Sequence, residues 1–193
     1  MSQSQSQSPN LRMMVFACLF TALIVIGGYI SFPIPLSPVP IVLSDFFTML
    51  AGLFLGASWG GASVGLFLFL GALGLPVFAG GKAGLVVLFG PTGGFLFGYL
   101  IAALVIGLIS GKGKSSFIKD LAALIVGNII LFGIGVPWLK LALKLSWGKA
   151  LALGLLPFIP GMIIKIIVAL ALIKTLRPLL KSVITNQSQS GGD

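Results

Sequence analysis

Four side chains stand where charge or hydrogen bonding would matter most: Lys165, Lys82, Asp45 and Asn128. Lys165 interrupts the apolar run PFIPGMIIKIIVALALI, about one helical turn after Gly161. A lysine at the centre of a membrane span costs about 2.5–3.5 kcal/mol to insert, less where it can snorkel to the headgroups. Pro160 and Gly161 loosen the helix there and would open a cavity beside the amine, which favours a ligand role. Such an amine is a point-charge partner for a carboxylate. Lys82 lies in FAGGKAGLVVLFGPTGGF (78–95), directly after Gly80 and Gly81. Glycines let backbone N–H groups face an anion unobstructed; a solvated loop lysine is the competing reading. Asp45 opens an apolar run, where the helix macrodipole alone would favour it, and it could also accept N–H bonds from a ligand. Asn128 could bond inward to a ligand or hold two helices together.

Enzyme chemistry finds little to work with. The sequence has no histidine, one cysteine (Cys18) and three acids, Asp45, Asp120 and Asp193. A Ser-His pair, an HExxH site, an internal disulfide and a Cys/His metal cage are all excluded. No two of the acids have a reason to share a hydrolytic site. Gly113-Lys114-Ser115 ends like a phosphate loop, but Leu108 stands where its first glycine belongs; Gly81-Lys82 has Pro76 there and Ala83 after it. Neither follows a plausible strand. Energy for uphill transport would have to come from another protein.

The elements that position these residues are membrane helices. Of 193 residues 58% are hydrophobic and 8% charged, against about 25% charged in a soluble domain. The chain reads as an all-α membrane protein with six spans, near 13–30, 43–58, 60–76, 92–109, 117–136 and 157–175. A tight turn within GASWGG (56–61) separates the second from the third. The first reads as a retained span rather than a signal peptide. Residues 1–12 and 182–193 read as disordered polar tails around a transmembrane domain at 13–181.

The net charge of +9 does not indicate nucleic acid, because the cations flank apolar runs and suit membrane lipid. With both termini cytoplasmic, the inside holds Arg12, Lys112, Lys114, Lys119, Lys174, Arg177 and Lys181, the outside only Lys82, Lys140, Lys144 and Lys149. Three irregular segments then face outward: the proline-stiffened SFPIPLSPVP (31–40), the glycine loop, and 137–160, whose WLKLALKLSWGKAL suggests a helix in the interface plane. Irregular backbone gathered on one side points to a site open to the outside. On the first span Ala17 and Thr21, and Cys18 and Ala22, put small residues four apart, a face another helix could approach closely.

The segments GGYISFPIPLSPVPIVL (27–43), DFFTMLAGLFLG (45–56), FAGGKAGLVVLFGPTGGFLFGY (78–99), GVPWL (135–139) and PFIPG with Lys165 resemble the BioY family. Its members are biotin-specific substrate-binding subunits, or S components, of energy-coupling-factor (ECF) transporters. The resemblance implies a six-helix S-component bundle at the cell membrane, with no cofactor and no enzymatic activity. Biotin would be its transported ligand, held near the outer face. It also implies a partner module of one transmembrane coupling protein and two ATPases, docked on Ala17, Cys18, Thr21 and Ala22. The ligand-binding glycine loop and lysine of the family correspond to Gly80, Gly81, Lys82 and Lys165.

Three departures stand out. Met162 replaces a usual aspartate after PFIPG, Phe95 and Phe132 replace tyrosines, and Ser44-Asp45 replaces a Gln-Thr pair. Asp45 would then accept the ureido N–H groups while Lys165 or Lys82 holds the carboxylate. An S component for another vitamin-like carboxylate is the runner-up. A secondary carrier is the more distant rival, with no internal repeat and few intramembrane acids to support it.

Overall fold

The structure is a computed structural model describing residues 9–35, 37–111 and 116–185. Apolar runs become helices because a bilayer offers the backbone no other hydrogen-bonding partner. The elements are α1 (Pro9–Tyr29), β1 (Ser31–Ile34), β2 (Ser37–Val42), α2 (Ser44–Ala72), α3 (Leu85–Leu88), α4 (Gly93–Ser110), α5 (Phe117–Ala142), α6 (Trp147–Gly154) and α7 (Ile159–Thr185). Five helices, α6 and α7 counting as one run, are long and apolar enough to cross a membrane.

Helix α2 supplies two of six passes. Gly56 has φ 74° and ψ −176°, outside helical space, and no Cβ obstructs that conformation. The chain doubles back there: a Cβ built on Gly60 would lie 2.8 Å from the Ala51 carbonyl oxygen. In a straight helix those residues would be about 13 Å apart. The expected turn is therefore present at the first residue of GASWGG, and the second arm ends at Ala72, short of 76.

Both ends of this hairpin meet the end of α1. The Leu43 N–H donates to Gly27 O at 2.9 Å, Ser44 Oγ to Ile24 O at 2.8 Å, and a Cβ on Gly28 would lie 3.2 Å from Val77 O. This is the loop end of the bundle. The hairpin tip packs on Gly107, near where Ser110 of α4 donates to Asp120 of α5. This is the tip end.

Lipid gives helices no hydrophobic reason to associate, so close backbone approach must supply the contact. A Cβ added to Gly107 would come within 2.2 Å of Ala57 N, one on Gly52 within 2.7 Å of Ala103 O, and one on Gly94 within 2.2 Å of the Trp138 Cβ. These glycines join α2, α4 and α5. Buried Ile24, Phe67, Phe78, Phe95 and Leu131 fill the loop half, and Met49, Leu53, Ile106 and Leu124 the other.

Several sequence expectations need correction. The proline segment is stiff and extended as expected, but it closes on itself as an antiparallel β1–β2 hairpin, Ser31 opposite Val42. Pro137 does not end the fifth span; α5 runs on to Ala142, and the interfacial helix shrinks to α6. A proline is tolerated there where its neighbourhood can re-satisfy the carbonyl it leaves. Helix α1 begins at Pro9 and α7 continues to Thr185; residues 1–8 and 186–193 lie outside the described residues, as do Lys112 and Lys114.

Candidate binding site under the loop-end hairpin

Asp45 sits in the first turn of α2, fixed by the β2–α2 junction, and its Oδ1 accepts the Phe46 N–H at 2.9 Å. Lys165 reaches it from α7. The ammonium lies 2.7 Å from Oδ1 and 2.8 Å from Oδ2 of Asp45, and 2.7 Å from the Val42 carbonyl. All three lysine N–H donors are thus occupied. The two side chains are 11% and 14% exposed. Lys165 therefore turns inward rather than snorkelling to lipid, and its cost of burial is offset by an acid 120 positions away in sequence.

Two small adjoining cavities lie beside this pair. One, about 30 Å³, is walled by Asp45, Val42, Tyr99, Phe95, Phe132 and Phe158. The other, about 50 Å³, reaches Lys82, Ala79, Phe78, Thr92 and Tyr99. Val39, Pro40, Val42, Phe95 and Tyr99 border both, so the spaces are two ends of one divided chamber. The roof is β2, tied to the C-terminal end of α6 by the bond from Ser37 Oγ to Leu153 O at 2.7 Å. Phe95, Phe132 and Phe158 contact one another with centroids 5.9 to 6.5 Å apart, giving the Asp45 end an aromatic wall suited to an apolar ring. Both ends are small: a water needs about 10–15 Å³ on this measure, whereas small-molecule pockets run to several hundred. A vitamin-sized ligand requires the roof or a wall to shift.

The expected site residues divide. Asp45 and Lys82 line the chamber, Lys82 at its exposed end, and Lys165 meets it only through its ion pair with Asp45. Gly80 and Gly81 form the turn that presents Lys82, with φ 67° and 76°, but their neighbours Ala79 and Lys82, not the glycines, face the cavity. The Gly81 N–H is already bonded to Phe78 O at 2.9 Å. Asn128 lies apart: it lines an apolar groove between α5, α6 and α7, and its amide donates to Leu124 O at 2.8 Å. Met162 lines that same groove. Sequence reasoning missed Tyr99, Thr92 and the 39–42 strand as walls. Tyr99 carries the only signal available beforehand, a phenol inside an otherwise apolar span.

The four small residues of α1 also split. Ala17 and Thr21 are buried, and Thr21 Oγ1 donates to Ser63 O of the second α2 arm at 2.9 Å. These two are engaged in the chain's own packing. Cys18 and Ala22 face outward.

The arrangement resembles known proteins over most of its length. The profile described as "BioY family" matches residues 1–182. The chain belongs to the BioY family. A BioY biotin transporter from Thermotoga maritima is 45% identical over 159 residues, covering 82% of this chain and 92% of that protein. A probable BioY biotin transporter from Pyrococcus horikoshii is 41% identical over 159 residues, with the same coverage of 82% and 92%. The crystal structure of the S-component for biotin from an ECF-type ABC transporter superposes with a TM-score of 0.82 at 31% identity, covering 91% of this chain and 95% of that one. This BioY chain therefore has the S-component fold, and its multiple spans make it a membrane protein.

Proposed function

We propose that this chain takes up biotin as the membrane-embedded binding subunit of an ECF-type transporter, with its loop end outside and both termini in the cytoplasm. The BioY relatives and the biotin S-component of the same fold support the substrate. The observation that carries the chemistry is Asp45 at the chamber wall, ion-paired to Lys165 behind it. A ureido group has two N–H donors flanking one carbonyl. Asp45 presents the complement, a carboxylate whose remaining lone pairs accept N–H, while the Lys165 ammonium, its three donors already taken, holds that carboxylate in place. Asp45 so reads the ureido end, while the aromatic wall takes the fused rings. The carboxylate goes to Lys82, whose ammonium is not neutralised by Asp45 as that of Lys165 is.

Release inward requires an energy source, and this chain has no complete phosphate-loop motif. A separate coupling protein and two ATPases supply it, docking on the exposed side of α1 at Cys18 and Ala22. Binding by the purified chain in calorimetry tests the reading. Asp45→Asn is expected to weaken biotin roughly 10- to 150-fold, the worth of a hydrogen bond to a charged group. Unchanged affinity would remove Asp45 from the site. Uptake that persists without the ATPases and collapses with an ionophore would instead mark a secondary carrier.

A further inference from the structure

We propose that the groove between α5, α6 and α7 is a binding site for one acidic phospholipid, its acyl chain in the groove and its phosphate on Lys140. The groove, about 430 Å³, is lined from three helices at helical spacing. Ile125, Ile129, Gly133 and Pro137 come from α5, Trp147 and Leu151 from α6. From α7 come Met162 and Ile166. Residues four apart stack on one face, so three faces converge on a single channel. Along α5 it runs for about 18 Å.

Its depth identifies the occupant. Lys119 and Lys140 are 21 residues apart on α5, about 31 Å, which matches the hydrocarbon thickness of a bilayer. The groove lies between them, so it faces acyl chains. Lys140 continues the lining face, one turn beyond Val136 and Pro137. Its ammonium stands 5.1 Å from the centre of the Trp147 ring, itself part of the lining. A cation and an indole at the mouth of an apolar channel are what a phosphate, a glycerol and a chain require together. Lys144 and Lys149, both exposed, add positive charge nearby. A second copy of the chain fits less well, because a two-fold contact sets the same patch against itself and would oppose groove to groove.

The test uses the full chain in phosphatidylcholine vesicles doped with either dibrominated phosphatidylglycerol or dibrominated phosphatidylcholine, reading tryptophan quenching. The parent is expected to be quenched by the acidic lipid at about fivefold lower mole fraction, the preference one lysine gives at an anionic partner. That preference should vanish in Lys140→Met, which keeps Trp147 as the reporter. Gly133→Phe fills the channel, and a Cβ there meets nothing within 4 Å; it should reduce quenching by both lipids. Equal quenching by the two headgroups in the parent would overturn the proposal, as would a preference that survives Lys140→Met. A dimer whose groove excludes both brominated lipids would overturn it in favour of self-association.

Discussion

The α2–α4–α5 side and the α7 side of the bundle are built on opposite rules. On the first, glycines bring backbones into contact, and three of the built Cβ positions at Gly52, Gly94 and Gly107 collide with fixed atoms within 2.7 Å. On the second, α7 turns Ile163, Ile164 and Ile167 to lipid, leaves a groove against α5, and is held by an ion pair at one end and by Ala169, Leu170 and Ile173 packed side chain to side chain further along. The seamed side is a frame. The α7 side can move without breaking backbone contacts, and the chamber between them is too small as it stands for a vitamin. Opening it by shifting α7 or the β1–β2 roof disturbs the fewest packed atoms.

The largest effect expected from this contrast is at Gly107. Gly107→Leu forces a side chain into the Ala57 backbone, which cannot yield as a flexible neighbour could. Overpacking of this kind costs about 3 kcal/mol or more, and the variant should melt well below the parent or fail to insert in a detergent thermal-shift measurement. Gly133→Leu, on the groove side, should change the melting temperature little. If the two behave alike, the division into frame and movable side is wrong.

The ion pair joins the two sides, and its removal separates stability from binding. Lys165→Met strands Asp45 in a half-buried setting, and breaking a buried pair from one side costs about 3–5 kcal/mol. Adding Asp45→Leu should recover most of that stability, because an apolar pair of similar volume removes the unpaired charge. It should not recover biotin affinity. A double variant that regains both would make the pair purely structural.

Much of this frame could be read in the sequence. The six passes, the break in GASWGG and the gathering of the proline and glycine segments at one end of the bundle follow from apolar run length and the two residues that cannot continue a helix. The β1–β2 hairpin could not be read, because the prolines that exclude helix do not say what the extended strand pairs with. The Asp45–Lys165 contact was equally hidden: both residues were visible as costly charges, but the sequence suggested separate roles, and only α7 leaning on the β2–α2 junction brings them together. Asn128 shows the reverse. Its polarity marked it as functional, yet the helix rotation points it toward Leu124 and the groove, away from the chamber.

The α1 surface offers a smaller and sharper test, since neighbouring residues of one type face opposite ways. Thr21→Val removes the bond to Ser63 O inside the frame and should cost about 1 kcal/mol of stability, with no direct effect on a partner. Cys18→Trp adds bulk only on the exposed side, where nothing in the bundle needs the space. It should leave biotin binding and melting temperature near those of the parent and reduce co-purification with the coupling protein and ATPases. Should Cys18→Trp co-purify fully while Thr21→Val loses the partner, docking would depend on the inner packing of α1 rather than on the face it shows to lipid.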